Sequence, residues 1–541
     1  MKKFLLLFTL LTLLSAIGGL QTTFAQPVTQ EWVARYNSTY NLTDISAGIV
    51  VDKSGNSYVT GYSFVTGVQN TVATTVKYNS LGVLQWVRIY YDAAQPENES
   101  VGIAIDTSSN IFITGYSGNV NTSYAYTWLV KYNTYGDSLW SRKYYALGQT
   151  NDPYAIITDK SGNVYITGNQ APPSFTIKYN TNGDTLWSRT YEEPGYQYTQ
   201  FTSIALDTLG NVYVGGAAHV VIFVRDYLVL KYNRDGVKQW SKTYGVYNKD
   251  EIAHKIAVDR FSNVYITGTG YNPNTADPYD YITIKYNSTG VQQWVKTYSR
   301  NVDEAFNLVV DYSDNIIVTG ESSILGNGPN YCTIKYTPTG DTQWVRIYVD
   351  TSTNPYDIAY SITVDSSNNI YISGRGGTNG PTTTIKYSYN GVQLWKMNYP
   401  IQLSTNGNSI AIDRARNIFV TGSDGDFVTI KYSQLDAIKK ISTVVPDNFY
   451  LSQNYPNPFN PSTKIKFDIP DFPLVKGARG MSVRLSIYDL LGREITTLVN
   501  QQLKPGTYEV EFDGTDYPSG VYLYRLSAGD LSETKKLVLL K

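Results

Sequence analysis

The chain has 541 residues, more than one ordinary hydrophobic core accommodates, so it folds either as several domains or as a ring of repeats. Its 49 Tyr and 43 Gly, with frequent Val, Ile, Thr and Asn, are typical of short β-strands joined by tight turns. The 44 Lys and Arg residues balance 45 Asp and Glu residues, which argues against a nucleic-acid partner.

The first residues carry the pattern of a secretory signal peptide. Lys2 and Lys3 precede an apolar run from Phe4 to Leu14, and small residues follow as far as Ala25. We therefore predict a signal peptide over residues 1–25, with a retained membrane anchor as the alternative. No later stretch approaches 18 apolar residues, so we expect no transmembrane span in the mature protein.

One sequence unit recurs eight times, at intervals of 48 to 54 residues. Each unit reads as an apolar strand ending in Asp, a turn ending in Asn, a second strand, a third strand containing Lys and a fourth beginning at Trp. The repeated aspartates are Asp52, Asp106, Asp159, Asp207, Asp259, Asp311, Asp365 and Asp413. Four short strands per unit predict an all-β propeller, which we place over residues 26–435. We interpret the Asp and Asn as turn residues rather than calcium ligands, because every blade needs that turn.

The fourth strand indicates how the ring closes. The third-strand lysines are Lys77, Lys131, Lys178, Lys231, Lys285, Lys335, Lys386 and Lys431, and the tryptophans that follow are Trp86, Trp140, Trp187, Trp240, Trp294, Trp344 and Trp395. The eighth tryptophan, Trp32, instead precedes the first unit. We predict that a strand over Trp32–Tyr36 completes the last sheet, between Ser409 and Tyr432, so that eight four-stranded blades leave no exposed edge.

The segment Asp52-Lys53-Ser54-Gly55-Asn56-Ser57-Tyr58-Val59-Thr60-Gly61 resembles the core of a bacterial β-propeller repeat family. The resemblance covers residues 30–435 and implies the propeller fold. That family is usually described as seven-bladed, so seven blades with one divergent unit is the alternative to eight.

The repeat stops after Tyr432, and a predicted linker over residues 436–453 leads to a proline-rich segment. Strand-like runs follow at Thr463–Ile469, Val483–Leu490, Glu494–Val499, Gly506–Phe512, Gly520–Leu526 and Thr534–Leu540, which predict a small immunoglobulin-like β-sandwich. Residues 454–541 resemble the C-terminal sorting domain of type IX secretion cargo, through the opening Tyr455, Pro456, Asn457 and Pro458, the turn at Gly492 and the strand start at Gly520. The resemblance implies the type IX machinery as a partner, export through the periplasm, and a secreted or outer-surface location. An additional sandwich domain is the alternative.

In six of the units an acidic residue lies seven or eight positions before the repeated Asp, ahead of the first strand. They are Asp44, Glu99, Asp152, Glu251, Glu304 and Asp357. If these segments surround one channel mouth, the six acids form a negative rim that attracts cations or basic groups. The alternative is that each acid bonds the backbone of a neighbouring blade or its repeated Lys.

The sequence shows no catalytic constellation. Only His219 and His254 are present, and no metal-binding, nucleophile-elbow or phosphate-loop motif occurs. We predict no cofactor, and we expect a non-enzymatic binding or interaction module whose ligand is an unknown extracellular polymer or protein, recognised by variable loops such as Ser117–Tyr126. An extracellular enzyme acting on polysaccharide and a spacer without a ligand are the alternatives. Cys332 lies in a strand pattern and predicts a buried structural thiol.

Overall fold

The computed structural model describes residues 28–66, 70–119, 124–145, 150–170, 173–221, 224–246, 249–271, 279–324, 327–349, 356–377, 380–400, 409–434, 439–442, 444–471, 481–514 and 517–541. All regular elements within these ranges are β-strands, and they form four-stranded sheets. The predicted all-β fold class is therefore confirmed. The predicted signal peptide lies outside the described residues.

Residues 28–434 contain eight of these sheets. Their strands are β1 (Val28–Tyr36), β2 (Asp44–Val51), β3 (Ser57–Thr66), β4 (Asn70–Tyr78), β5 (Leu84–Tyr90), β6 (Glu97–Ile105), β7 (Ile111–Asn119), β8 (Tyr124–Tyr132), β9 (Ser138–Tyr144), β10 (Asn151–Thr158), β11 (Val164–Gln170), β12 (Ser174–Tyr179), β13 (Thr185–Tyr191), β14 (Tyr198–Leu206), β15 (Val212–Val221), β16 (Val224–Tyr232), β17 (Lys238–Tyr244), β18 (Ile252–Val258), β19 (Val264–Gly270), β20 (Asp280–Tyr286), β21 (Gln292–Tyr298), β22 (Asp303–Val310), β23 (Ile316–Ile324), β24 (Asn327–Tyr336), β25 (Thr342–Tyr348), β26 (Ile358–Val364), β27 (Ile370–Arg375), β28 (Thr382–Tyr387), β29 (Gln393–Tyr399), β30 (Ser409–Ile412), β31 (Ile418–Ser423) and β32 (Phe427–Gln434).

Sheets 1 to 7 each use four consecutive antiparallel strands, from β2–β5 to β26–β29. Sheet 8 has the order β1-β32-β31-β30, in which the N-terminal strand pairs antiparallel with the last strand of the repeat region. Trp32 is opposite Lys431 in this register, as the predicted sharing of the last sheet requires. The first strands of neighbouring sheets contact one another in sequence, and β30 of sheet 8 contacts β2 of sheet 1.

The repeated aspartate organises the turn between the first and second strands. Asp52 Oδ1 accepts backbone hydrogen bonds from Ser54 at 2.8 Å and Asn56 at 3.0 Å, while Oδ2 accepts from Asn56 Nδ2 at 2.7 Å and from the Tyr58 hydroxyl at 3.0 Å. The aspartate-to-asparagine bonds recur in all seven other units. These local bonds give the carboxylate a structural role in every unit.

The repeated Lys and Trp join each sheet to the next. Lys77 Nζ and Trp86 Nε1 both donate to the carbonyl oxygen of Thr134 in sheet 2, at 2.7 and 3.2 Å. The same pair of hydrogen bonds to one backbone carbonyl recurs in five further sheets. It joins Lys131 and Trp140 to Thr181, Lys178 and Trp187 to Arg234, Lys231 and Trp240 to Ser288, Lys285 and Trp294 to Pro338, and Lys335 and Trp344 to Tyr389. One lysine and one tryptophan thus share an acceptor on the neighbouring sheet.

Sheet 8 forms this link to sheet 1, and the link from sheet 7 to sheet 8 uses a different acceptor. Lys431 and Trp32 of sheet 8 both donate to the carbonyl oxygen of Ser80 in sheet 1, each at 3.1 Å. Sheet 8 takes its outer strand from the N-terminus, so β32 is its last strand in chain order, and the described residues show no backbone carbonyl that accepts from the lysine and tryptophan of sheet 7. The side chain of Gln434 replaces it, because its Oε1 accepts from Lys386 at 2.7 Å and Trp395 at 3.2 Å.

Apolar packing also runs between neighbouring sheets. One buried cluster contains Tyr58 and Trp86 of sheet 1 together with Ile113 and Trp128 of sheet 2. The second and third strands are largely covered, and all of Ser174–Tyr179 is buried. Cys332 lies fully buried in β24, where burial raises the thiol pKa, so the predicted structural thiol is confirmed.

The C-terminal residues form two further sheets around one core. Their strands are β33 (Lys439–Ser442), β34 (Tyr450–Leu451), β35 (Ser462–Ile469), β36 (Met481–Tyr488), β37 (Glu494–Leu503), β38 (Gly506–Asp513), β39 (Gly520–Ala528) and β40 (Leu531–Leu539). The sheet orders are β33-β38-β35-β34 and β37-β36-β39-β40. Ile465 and Phe467 of the first sheet share a buried cluster with Leu485 and Ile487 of the second. Both β33 and β34 fall within the predicted linker, so sheet structure begins earlier than residue 454.

Candidate ligand-binding site

The eight sheets present two different ends. The turn end carries the tight turns that follow each first and third strand, including those of the repeated aspartates. The loop end carries the connections between second and third strands and the entry into each next sheet. All six acids of the predicted rim lie at the loop end, beside or within the beginning of a first strand. The repeated lysines donate to turns at the opposite end, so the suggested pairing of these acids with those lysines is wrong.

Three of the six acids are buried and do not belong to an exposed rim. Asp44, Glu251 and Asp357 precede the repeated aspartate by eight residues and have no exposed surface. Their carboxylates accept backbone hydrogen bonds from Ser38 at 2.8 Å, Val246 at 3.3 Å and Gly377 at 2.7 Å, respectively. Their own N–H groups donate to the preceding sheet's loop, at Gly425, Arg225 and Pro329. The carboxylates thus bond backbone groups of nearby loop-end segments, while the bonds to the preceding sheet come from the backbone N–H groups of these residues.

The other three acids lie one position later and face the opposite way, because successive strand residues alternate between faces. Glu99, Asp152 and Glu304 are half-buried, and they are opposite Tyr116, Asn169 and Glu321 on the second strands. None of the three forms an ion pair within the described ranges. We call them the rim acids from here on.

Aromatic side chains continue this surface at the bulges of three consecutive first strands, in sheets 5, 6 and 7. The rings of His254 and Phe306 are 5.5 Å apart, and those of Phe306 and Tyr360 are 5.7 Å apart, across sheets 5, 6 and 7. Each of the three residues occupies the irregular position in its strand pairing. Burial lowers the pKa of His254 to about 4, which keeps the imidazole neutral at neutral pH. We call these three rings the aromatic arc.

A cleft of about 550 Å³ opens between sheets 2 and 3 at the loop end. Its walls include Tyr116, Tyr124 and Tyr154 together with the carboxylates of Glu97 and Asp152. Tyr124 and Tyr154 are 54 % and 46 % exposed, so their rings are available to a ligand. A concave surface that combines aromatic faces with a few polar groups is the usual form of a ligand site.

The cleft is electrostatically negative. Tyr116 donates its hydroxyl to Glu99 Oε2 at 2.8 Å, which places a third carboxylate directly behind the tyrosine wall. Burial raises the pKa of Glu97, Glu99 and Asp152, and the charge of Glu97 raises that of Glu99 further. These carboxylates can accept hydrogen bonds from ligand hydroxyl or amino groups, while the tyrosines offer flat apolar faces. The described residues hold no group of three potential metal ligands.

The predicted sorting motif lies along the edge of the C-terminal domain. Asn457 Oδ1 accepts a hydrogen bond from the backbone of Val538 at 2.9 Å, next to Pro456 and Pro458. Phe459 exchanges backbone bonds with the same end of β40, and Tyr455 is 81 % exposed. Gly492 has φ of 78° in the turn between β36 and β37, a conformation that favours glycine, and Gly520 begins β39.

Two known protein families match this chain, one in the repeat region and one in the C-terminal domain. The β-propeller repeat matches residues 31–65, 239–273 and 402–423, and the secretion system C-terminal sorting domain matches residues 453–540. The chain therefore contains β-propeller repeats followed by a type IX sorting domain. It is a secreted or cell-surface protein of that export route. No helix among the described residues is long and apolar enough to cross a membrane.

Several solved structures are distantly similar. An ulvan lyase from a polysaccharide lyase family is 11 % identical with a TM-score of 0.40, over 68 % of this chain and 96 % of its own. A protein of unknown function from Dyadobacter fermentans is 8 % identical with a TM-score of 0.37, over 75 % and 99 %. Prolyl oligopeptidase B from Galerina marginata is 10 % identical with a TM-score of 0.38, over 79 % and 56 %. Similarity at this distance indicates no substrate, and no curated protein sequence matches the chain significantly.

Proposed function

We propose that this protein is a non-enzymatic binding module, delivered outside the cell by its sorting domain, whose propeller holds an extracellular polymer in the cleft between sheets 2 and 3. The observation that carries this proposal is the cleft itself. Tyr116, Tyr124 and Tyr154 supply stacking faces, and the carboxylates of Glu97 and Asp152 supply hydrogen-bond acceptors. This combination suits sugar rings, whose apolar faces pack on aromatic rings while their hydroxyl groups donate to carboxylates.

The scaffold in this proposal is one closed ring of eight blades followed by an immunoglobulin-like sandwich. Three observations support closure. β1 completes sheet 8, first strands contact one another from sheet 1 through sheet 8 and back, and Lys431 and Trp32 bond Ser80 of sheet 1. A closed ring leaves no sheet edge for aggregation, which suits a protein exposed outside the cell.

An extracellular enzyme acting on polysaccharide is the second candidate. Glu321 lies opposite Glu304, and burial together with the charge of Glu304 raises the pKa of Glu321 to about 7. A carboxyl group that titrates near neutral pH can act as a general acid. We favour the binding role because the cleft lies between sheets 2 and 3, whereas Glu304 and Glu321 lie in sheet 6. A polymer held in the cleft is therefore not placed against this pair of carboxyl groups.

Titration of the full-length mature protein against a panel of polysaccharides separates these candidates. We expect saturable binding to at least one polysaccharide with no release of shorter chains. Tyr154→Ala should weaken that binding at least tenfold, because it removes one stacking face. Tyr135→Ala is the matched control, since Tyr135 is 79 % exposed but lies in the turn at the opposite end of sheet 2.

Two outcomes would overturn the binding proposal. Depolymerisation of any polysaccharide that stops in Glu321→Gln would establish the enzyme instead. Equal loss of affinity in Tyr154→Ala and Tyr135→Ala, or no binding to the panel at all, would show that the cleft is not the ligand site.

A further inference from the structure

A second polar cluster lies at the loop end on sheets 6 and 7, apart from the cleft. Glu304 and Glu321 are direct partners in the pairing of β22 with β23. Arg375 is opposite Ile358 in the next sheet, so it occupies the position equivalent to Glu321. Two acids and one base thus meet at a point where the corresponding residues of sheet 4 are Gln200 and Ala217.

This cluster contains one hydrogen-bond acceptor and one donor that have no partner among the described residues. One carboxylate oxygen of Glu321 and the Nε of Arg375 are buried, and neither has a hydrogen-bond partner among the described residues. No ion pair joins Arg375 to either glutamate in the described part of the chain. Buried polar groups normally find partners, and like charges opposite each other destabilise a sheet. The arrangement is therefore costly for the free fold and suits a ligand that supplies both an acceptor and donors.

Aromatic rings surround the base. The guanidinium carbon of Arg375 lies over the ring of Tyr356, 4.5 Å from its centroid. Its edge, with parallel N–H groups, is then the part that can bind a ligand. The aromatic arc of His254, Phe306 and Tyr360 extends from the same place across three sheets. A ring-shaped ligand would have an apolar surface on which to lie.

We propose that this cluster, the Arg375 site, binds the carboxylate of an acidic sugar in a polymer. Arg375 binds the carboxylate through two parallel hydrogen bonds, Glu304 and Glu321 accept hydrogen bonds from ring hydroxyl groups, and the aromatic arc supports the sugar face. A planar, singly charged carboxylate matches the guanidinium edge. A doubly charged phosphate would meet stronger repulsion from the two glutamates.

The test compares acidic sugars with the same sugars after their charge has been masked. Hexamers of galacturonate and of mannuronate, and their methyl esters, are titrated against the full-length mature protein. We expect at least one acid form to bind ten or more times more tightly than its ester. Arg375→Gln should abolish this difference, and Arg375→Lys should keep part of it, because lysine retains the charge without the planar edge. Arg525→Gln is the matched control, since Arg525 lies over Tyr488 in the C-terminal domain.

Equal affinity for acids and esters, no binding of either, or an acid preference that survives in Arg375→Gln would overturn the Arg375 site. Thermal unfolding of each variant shows whether it is folded, and Arg375→Lys provides the second variant if Arg375→Gln is not. The inference extends the proposed polymer binding to a second place on the same end. If Tyr154→Ala weakens polysaccharide binding while acids and esters bind alike, the proposed function stands and the Arg375 site alone fails.

Discussion

Glu251 is a carboxyl group whose burial links stability to pH. It has no exposed surface, only one of its oxygens accepts a hydrogen bond from the described residues, and burial raises its pKa to about 7. A raised pKa in the folded state means that folding favours the protonated form. Its stabilising contribution is therefore complete below the ordinary glutamate pKa and is lost as pH rises through 7.

Glu251→Gln should remove this pH dependence. The amide resembles the protonated acid, so wild type and variant should unfold at similar temperatures near pH 4.5, and the variant should unfold a few degrees higher at pH 8. Thermal unfolding across this pH range measures the difference. Glu511→Gln, at an exposed position in β38, should show no such trend. A variant less stable than wild type at pH 8 would show that the charged form is the favoured one.

Gln434 is a residue whose role was not evident from the repeat. It follows the last repeated lysine by three positions, which is the position whose backbone carbonyl is the acceptor in the other units. Its Oε1 accepts from Lys386 and Trp395, and its Nε2 donates to the Tyr371 hydroxyl at 2.7 Å and to the carbonyl of Arg416. One side chain thus takes the place of the backbone carbonyl that accepts from lysine and tryptophan between the other sheets.

Gln434→Leu should lower the free energy of unfolding by about 3 kcal/mol, because a buried acceptor shared by two donors is lost. Denaturant unfolding of the full chain measures this change. Gln293→Leu is the control, since the exposed Gln293 side chain donates to the backbone of Val291 and bonds no neighbouring sheet within the described part of the chain. Equal stability of the two variants would contradict the role given to Gln434.

At the scale of strands, most of the fold was predictable from the sequence. The repeated Asp, Lys and Trp mark one position in each unit, and their hydrogen bonds recur from unit to unit: the Asp bonds the Asn of its own turn, and the Lys and Trp share an acceptor on the next sheet. β33 and β34 were missed because they are short and lie beside prolines, where local pattern does not reveal pairing with distant strands.

The pairing of β1 with β32 can be tested by a disulfide. Ala34 and Thr429 are direct partners in the register, and such partners place Cβ atoms about 4.5–5.5 Å apart. Ala34→Cys with Thr429→Cys should therefore oxidise to an internal disulfide, seen by mass spectrometry of peptides from the full chain. Ala34→Cys with Ile430→Cys should not, because residues one position out of register face opposite sides of the sheet. A disulfide in the second pair alone would contradict the observed register.

The candidate site was only partly predictable, because one residue of spacing decides which face an acid occupies. Asp44 and Glu99 precede their repeated aspartates by eight and seven residues, and the sequence pattern grouped them together. One is buried in the loop-end backbone and the other lies behind the cleft. Glu321 and Arg375 were missed, although both follow the glycine that ends the second-strand motif, a position that could have identified them.

For the whole molecule, the sorting domain determines where the propeller acts. A chain that lacks residues 439–541 should keep the fold of residues 28–434 but stay in the periplasm of a host that uses type IX secretion. Fractionation and immunodetection of the propeller would measure this, with the full chain as control. Equal amounts of both forms outside the cell would show that the C-terminal domain is dispensable for export.

The most direct test of the account is hydrogen–deuterium exchange of the full-length protein with and without the polysaccharide that binds it most tightly. Binding in the cleft should slow exchange at residues 116–119 and 150–154, which border the cleft at the loop end. The turn at residues 133–137, at the opposite end of sheet 2, should exchange at an unchanged rate. Protection of that turn without protection of the cleft segments would contradict the proposal that the loop end of the propeller binds an extracellular polymer.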